Sequence, residues 1–154
     1  MRPATFPIAA LSVLVLLVGC GDGESRQRAD REAIAAAIEA YLPLLATAYL
    51  TGDVAPLETH AAQKEIATVE RRILELAKEG RVFHPTLKQM TLEDVEIWSY
   101  SNAYATTLEV WDVEMRAAGS DRVISEDAEQ RNRVKYQLSR EGDRWLILYR
   151  ALQP

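Results

Sequence analysis

The spacing of apolar residues changes once along this chain, close to Gly80, and this change limits the folds that the chain can adopt. Between residues 30 and 80 the apolar residues recur every three or four positions, which is the period of an amphipathic helix. After Pro85 they tend to alternate with polar residues, which is the period of a β-strand. Helices that precede a run of strands predict an α+β domain rather than alternating βα units.

The first helix is predicted over residues 30–51. Its apolar positions are spaced four, three, four and three, and they are Ile34, Ile38, Tyr41, Leu45 and Ala48. Pro43 lies inside this stretch, so we expect a kink there, because proline lacks an amide hydrogen and clashes with the preceding turn. Gly52 is suited to end the helix in the left-handed conformation.

A second helical region is predicted from about Asp53 to Gly80. Its apolar positions repeat the same spacing, and they are Ala62, Ile66, Val69, Ile73 and Leu76. Pro56 suits a first helical turn. The region is one helix or two, because residues 57–60 can form a separate turn.

Four strands are predicted, at residues 87–99, 104–115, 131–140 and 145–152. Short polar connections at 101–102 and 141–144 join them in pairs, which is typical of antiparallel hairpins. The polar stretch 117–130 is predicted as a long loop. The sequence therefore predicts an α+β fold with N-terminal helices packed on a curved four-stranded antiparallel sheet.

In the second predicted strand the apolar residues change sides. Leu108 and Val110 fit one face, whereas Trp111, Val113 and Met115 fit the other. We expect a bulge or a strong bend near Val110 to accompany this change.

The last predicted strand is apolar on both sides. One side holds Trp145, Ile147 and Tyr149, and the other holds Leu146, Leu148 and Leu152. Trp145 is predicted to be buried where the last hairpin meets the helices. Because two helices cover only one face of a sheet, we expect an apolar outer patch around Leu146 and Leu148, and self-association as a homodimer through it. If the strand instead faces the other way, the outer patch and the dimer contact are expected at Trp145, Ile147 and Tyr149.

Residues 1–19 are predicted to be a signal sequence, because an apolar run of 11 residues follows a start with one basic side chain. The run ends in Leu17-Val18-Gly19-Cys20, which resembles the lipobox of bacterial lipoproteins. The resemblance implies cleavage before Cys20, lipidation of its sulfur with acyl chains such as palmitate, and a membrane held through this lipid anchor. It places the chain on the cell membrane or the outer membrane, facing outside the cytoplasm. A secretory peptide cut elsewhere and an uncut anchor remain the alternatives.

The predicted organisation is a leader, a flexible tether at residues 20–29 and a single cone-like α+β domain at residues 30–154. The formal net charge is −5, which argues against a nucleic-acid partner. The single cysteine excludes an internal disulfide and any multi-cysteine metal site. We find no motif for a cofactor or a metal, and we expect neither.

The closing hairpin carries a family resemblance in its residues. Residues 136–147 read Tyr-Gln-Leu-Ser-Arg-Glu-Gly-Asp-Arg-Trp-Leu-Ile, a strand, a polar turn and then tryptophan with aliphatic residues. With two helices before it, this layout resembles the cystatin-like cone of nuclear transport factor 2 relatives (NTF2-like proteins), and the intermembrane-space domain of plastid-division proteins. The resemblance implies a sheet curled round the helices and a pocket at the open end. Relatives include isomerases, dehydratases and hydrolases as well as binding modules, so the fold leaves function open.

Five residues are candidates to line such a pocket, namely Tyr41, Tyr49, Trp98, Trp111 and Asp112. Asp112 would face the core if the phase of Leu108 and Val110 continued, but the expected bulge puts it outside. His60 and His84 are predicted to be surface or helix-end histidines, and no residue is assigned a catalytic role.

The leading hypothesis is a lipid-anchored, non-catalytic domain of the cell envelope that binds a partner protein or a small apolar ligand. The alternative is a small-molecule isomerase, dehydratase or hydrolase that uses an acid or a base in the cone.

Overall fold

A computed structural model of the chain describes residues 22–154. The predicted leader and Cys20 lie outside the described residues. The elements are α1 (Asp22–Thr51), a short 3-10 helix (Ala55–Thr59), α2 (Gln63–Lys78), β1 (Arg81–Ser99), β2 (Asn102–Ala117), β3 (Val123–Glu141) and β4 (Arg144–Leu152). The predicted α+β fold, with two helices on a four-stranded antiparallel sheet, is confirmed.

Helix α1 is already formed at Asp22, eight residues before its predicted start. Residues 22–29, which we expected within a tether, are helical, and their described side chains are exposed. The predicted apolar face is buried, from Ile34 to Ala48. The helix is continuous through Pro43 and ends at Gly52, whose φ of 79° is the left-handed conformation. By length and hydropathy Gly23–Thr51 is the one helix of the described part able to cross a membrane, but its buried face belongs to the domain core.

The second helical region proves to be two helices, and the link between them closes one edge of the sheet. The amide of Ile147 donates to the carbonyl of His60 at 2.9 Å, and the amide of Ala62 donates to the carbonyl of Ile147 at 2.9 Å. These two bonds satisfy backbone groups of β4 that would otherwise be left at an open edge.

The strands form an antiparallel meander in the order β1-β2-β3-β4. The predicted loop at 117–130 is wrong over most of its length, because β3 already begins at Val123. Residues 123–129 are exposed, so their side chains need not be apolar, and backbone pairing such as Met115 with Ser125 holds them in the sheet. A polar sequence therefore concealed a strand.

The buried side chains of β2 alternate without a change of phase. Ala103, Ala105, Thr107, Glu109 and Trp111 all face the helices, on the side that we call the inner face. The expected irregularity near Val110 lies in the two strands that flank β2: β1 carries an extra residue, Lys88, opposite Val110 and Trp111, and β3 carries a bulge beside Trp111. Between Trp111 and Val113 the β2–β3 register shifts, and β3 turns through Glu129, whose φ is 54°.

A bulge at Leu148 changes the facing of β4 partway along. Leu138 pairs with Ile147 while its neighbour Gln137 pairs with Tyr149. Trp145 and Ile147 therefore lie in the core as expected, but Tyr149 leaves their side and is 43% exposed.

The structure does not show the exposed apolar patch that was predicted around Leu146 and Leu148. Leu146 is only 5% exposed and Leu148 is half-buried. Self-association of the chain stays a prediction, without this surface to support it.

Helix α1 and strand β1 run in opposite directions, and this gives the domain two distinct ends. The ring of Tyr49 lies 5.3 Å from that of Phe83, near the start of β1. At the other end, Arg28 and Arg31 share a crevice with Val95 and Ile97. We call the first the pocket end and the second, where α1 begins, the N-terminal end.

Candidate functional site

A cavity of about 160 Å³ lies at the pocket end, between the C-terminal half of α1 and the inner face of the sheet. Most of its wall is apolar, and the residues that form this part are Leu45, Tyr49, Phe83, Pro85, Trp111, Val113 and Leu152. The polar part consists of Gln130, Asn132 and Arg150. An apolar wall with a few converging polar groups is the usual composition of a small-molecule site.

Beneath this cavity lies a buried polar cluster centred on Glu109, which is 0% exposed. One carboxylate oxygen, Oε1, accepts hydrogen bonds from Thr107 Oγ1 at 3.0 Å and from the Tyr136 hydroxyl. The other, Oε2, accepts from Trp111 Nε1 at 2.9 Å and from Arg150 Nη2 at 3.3 Å. Four donors, one of them the positively charged Arg150, thus compensate a carboxylate removed from water, which such burial requires.

The strand pattern explains how these groups meet. Thr107, Glu109 and Trp111 occupy alternate positions of β2, and Tyr136 and Arg150 pair in adjacent strands on the same face. Sequence reasoning missed Glu109 because the apolar residues Leu108 and Val110 were taken to mark the phase of the strand. The odd-numbered series from Ala103 through Trp111 held the correct signal.

Arg150 also borders a second crevice, of about 270 Å³, between α1, α2 and β4. Its wall includes Glu65, Arg71 and Arg72. The Arg150 side chain is 22% exposed, and its Nε has no hydrogen-bond partner among the described residues. The guanidinium therefore lies between the cavity and this crevice, and its Nε is still available to donate a hydrogen bond.

Glu65, in the first turn of α2, is the second buried acid of the inner side. It is 1% exposed, and its Oε1 accepts a hydrogen bond of 2.9 Å from the Tyr41 hydroxyl. Burial raises the pKa of Glu65, although the bond from Tyr41 and the charge of Arg150 oppose this shift. Its Oε2 has no partner that meets hydrogen-bond geometry in the described part of the chain.

The tyrosines around these acids are held in their neutral form. Burial raises the pKa of Tyr41, and the neighbouring charge of Glu65 raises it further. Burial likewise raises the pKa of Tyr136 and of Tyr49. Each hydroxyl therefore keeps its proton at neutral pH, and those of Tyr41 and Tyr136 donate it to Glu65 and Glu109.

The structure brings two of the five candidate pocket residues to the cavity, Tyr49 and Trp111. Tyr41 is fully buried behind it, against Glu65. Trp98 is 51% exposed and stacks on Tyr104 near the N-terminal end.

Asp112 lies on the outer face of the sheet, at the bulge in β3. Its Oδ1 accepts a hydrogen bond from the Glu129 amide at 2.9 Å, and its Oδ2 lies 3.0 Å from Lys88 Nζ. The hydrogen bond from Glu129, followed by Lys88, lowers the pKa of Asp112. Asp112 thus stabilises a turn and is not in contact with the cavity.

The two histidines are in separate elements. His60 ends the 3-10 helix, and His84 lies in β1 opposite Glu114. Within residues 22–154 no group of three or more histidine, cysteine, aspartate or glutamate side chains is arranged to hold a metal ion.

Comparison with known proteins gives similarity in structure only. No protein-family description matches the sequence, and no curated protein matches it either. Among solved structures, the intermembrane-space region of the chloroplast protein ARC6 superposes with a TM-score of 0.66 at 14% identity, over 78% of this chain and 95% of that one.

Two further structures share the fold. An NTF2-like protein with a cystatin-like fold from Novosphingobium aromaticivorans superposes with a TM-score of 0.52 at 18% identity, over 87% of this chain and 90% of that one. A protein of unknown function from Mycobacterium tuberculosis superposes with a TM-score of 0.53 at 12% identity, over 88% of this chain and 77% of that one. At these identities the likeness shows the fold alone, and the predicted cystatin-like, NTF2-like architecture is confirmed.

Proposed function

We propose that this chain is a lipid-anchored lipoprotein of the cell envelope whose domain binds a small, mostly apolar ligand in the cone cavity without transforming it. The observation that supports binding is the cavity itself, with its apolar wall and the single guanidinium of Arg150 at its base. The support for the anchor is the predicted leader at residues 1–19, which is followed directly by Cys20. The ARC6 region, whose name places it in an envelope compartment, is a structural relative consistent with such a location.

The anchor is tested by labelling cells with a palmitate analogue. The wild-type chain should take up the label and run as the processed form. Cys20→Ala should stay unlabelled and keep its leader, because the thioether has no sulfur to form on. Equal label on the two chains would refute the anchor. Cys20→Ser is a closer steric match to cysteine and should behave like Cys20→Ala.

The size of the cavity limits the ligand. A dry cavity of about 150 Å³ lined by apolar side chains holds one benzene molecule. A space of about 160 Å³ therefore suits a single ring or a short branched chain. The charge of Arg150 is already shared with Glu109 at 3.3 Å, so most of the contact with a ligand would be apolar.

Toluene, indole and benzoate are suitable probes, and calorimetric titration or line broadening in NMR spectra measures their binding. Val113→Phe places a ring into the cavity and should abolish binding. Val110→Phe makes the same change on the outer face of the same strand and is the matched control. Failure of all three probes to bind the wild-type domain, or equal binding by both variants, would refute the proposal.

The buried Glu65 is the observation that favours the alternative, an isomerase, dehydratase or hydrolase. It is an acid with a raised pKa beside Tyr41, at the wall of the crevice next to Arg150, and a raised pKa suits a carboxyl group to proton transfer near neutral pH. Glu65→Gln distinguishes the two functions. In both cases this variant should keep its affinity for the probes. Only an enzyme would also show a turnover that the variant loses.

A further inference from the structure

The N-terminal end of the domain carries an exposed group of aromatic side chains. Trp98 is 51% exposed and Tyr100 is 73% exposed, at the turn between β1 and β2. The rings of Trp98 and Tyr104 stack with centroids 6.3 Å apart. We call Trp98, Tyr100 and Tyr104 the aromatic tip. The other two tryptophans, Trp111 and Trp145, are 5% and 3% exposed, so Trp98 alone presents an indole to the surroundings.

The aromatic tip lies at the same end of the domain as the start of α1. Residues of the first turns of α1, among them Glu24 and Gln27, share a crevice with Val95 and Ile97 of β1. Because β1 runs opposite to α1, the residues after Ile97 continue toward the start of the helix. Arg140 ties the two together, since its Nη1 lies 2.9 Å from Asp30 of α1 and its guanidinium lies 5.1 Å from the centre of the Tyr100 ring.

Cys20 lies two positions before Asp22, the first residue of α1 that the structure describes. Two residues of extended chain span at most about 7 Å. A lipid on Cys20 therefore brings the described start of α1 to the surface of the bilayer, and the aromatic tip, tied to α1 at Asp30, lies about 12 Å of helix further along.

We propose that the aromatic tip is a membrane contact that seats in the headgroup region beside the anchor and turns the cavity away from the lipid. The proposal rests on the proposed lipid anchor. Tryptophan and tyrosine are favoured at this depth because the ring is apolar and its polar edge stays hydrated. The cavity is at the opposite end of α1, at Tyr49, so the same orientation leaves it open to the aqueous compartment.

The charges around the tip determine what kind of lipid contact this is. Lys135 Nζ lies 4.4 Å from the centre of the Tyr104 ring, and Arg140 lies over Tyr100. Glu96 pairs in register with Tyr104 and Asp94 with Thr106, so acids stand on the same face. With both signs present the contact is aromatic rather than electrostatic, and it should be the same on zwitterionic and on anionic bilayers.

The test uses the mature lipidated chain reconstituted into phosphatidylcholine vesicles, or into mixtures with phosphatidylglycerol. Lipids brominated near the headgroup quench only tryptophan that touches the upper part of the acyl region. We expect them to remove most of the emission that Trp98 contributes, in both lipid mixtures, and Trp98→Phe should abolish the quenching. Trp111→Phe should leave it unchanged, because Trp111 is buried in the domain.

A matched control moves the exposed indole to the other end of the sheet. Ile124 is 46% exposed near the start of β3, which pairs with the end of β2. Ile124→Trp in the Trp98→Phe background should give a tryptophan that is exposed but unquenched. If the wild-type chain floats with the vesicles but brominated lipid does not change its emission, the membrane contact is refuted, and the aromatic tip would instead bind a protein partner. A chain that fails to float would overturn the anchor and the contact together.

Discussion

Glu109 and Asp112 lie three residues apart on β2, yet one belongs to the inner face of the sheet and the other to the outer face. Glu109 is fully buried and accepts hydrogen bonds from four side chains. Asp112 is half-exposed, accepts one backbone amide and faces one exposed lysine. The difference arises from strand parity, which places an odd-numbered residue of β2 against the helices and an even-numbered one against solvent.

The two acids should differ accordingly in what they contribute to stability. Removing one partner of a buried ion pair leaves the other charge uncompensated, whereas exposed ion pairs contribute little because water and salt screen them. A single substitution should therefore lower the free energy of unfolding most on the inner face, and substitutions on the outer face should be tolerated.

The largest expected effect is on packing of the inner face. Trp145 is 3% exposed, and Trp145→Ala should lower the free energy of unfolding by about 3–5 kcal/mol, as for other large truncations in a core. Urea unfolding of residues 22–154 measures it. Trp98→Ala, on the exposed aromatic tip, is the matched control, and similar losses in both variants would contradict the assignment of the two faces.

The next effect concerns the charge of the Glu109 cluster. Glu109→Gln keeps the shape of the side chain but leaves Arg150 without its counter-ion, and we expect a loss of about 3 kcal/mol in the free energy of unfolding. Glu114→Gln removes the same charge from the Arg116 pair, whose side chains are 31% and 36% exposed, and serves as control. A Glu109 variant as stable as the control would mean that the cluster is hydrated.

Much of the architecture was predictable from the sequence because periodicity reports burial directly. The face from Ile34 to Ala48 and the burial of Trp145 were predicted correctly for this reason. The early start of α1 was not, because residues 22–29 are exposed and leave no apolar stripe. The first part of β3 was not predicted for the same reason. Backbone hydrogen bonds hold it in the sheet, and they leave no pattern in the side chains.

The site was harder to predict than the fold because bulges change which residues face inward. The bulge at Leu148 takes Tyr149 out of the core side and puts Arg150 there, and no feature of the local sequence marks it. Arg150 then joins Glu109, 41 residues away in the chain. A polar residue on an otherwise apolar inner face was the readable signal, and we assigned that face to Leu108 and Val110 instead.

A smaller effect, with a defined dependence on pH, is expected at Glu65. Its pKa is raised from 4.5 in the folded domain, so the folded state holds its proton more tightly than the unfolded state. The stability that protonated Glu65 contributes is therefore complete below pH 4.5, and it declines as pH rises toward the raised pKa, by at most about 1.4 kcal/mol per pH unit. Glu65→Gln should remove this decline. Parallel curves for the two proteins in urea titrations between acidic and neutral pH would contradict the burial of an ionisable Glu65.

The smallest expected effect is at Asp112, and it completes the comparison with Glu109. Asp112→Asn keeps an oxygen to accept the Glu129 amide and loses only the attraction to Lys88, whose side chain is 51% exposed. The urea midpoint at neutral pH should therefore stay within error of the wild type. Because the folded pKa of Asp112 is lowered, any stability that its charge adds is present above the unfolded value of 3.8 and is lost as pH falls below it. The curves of variant and wild type should accordingly merge in strong acid. A loss at neutral pH as large as that of Glu109→Gln would place Asp112 on the inner face and reverse the parity of β2 on which the whole site depends.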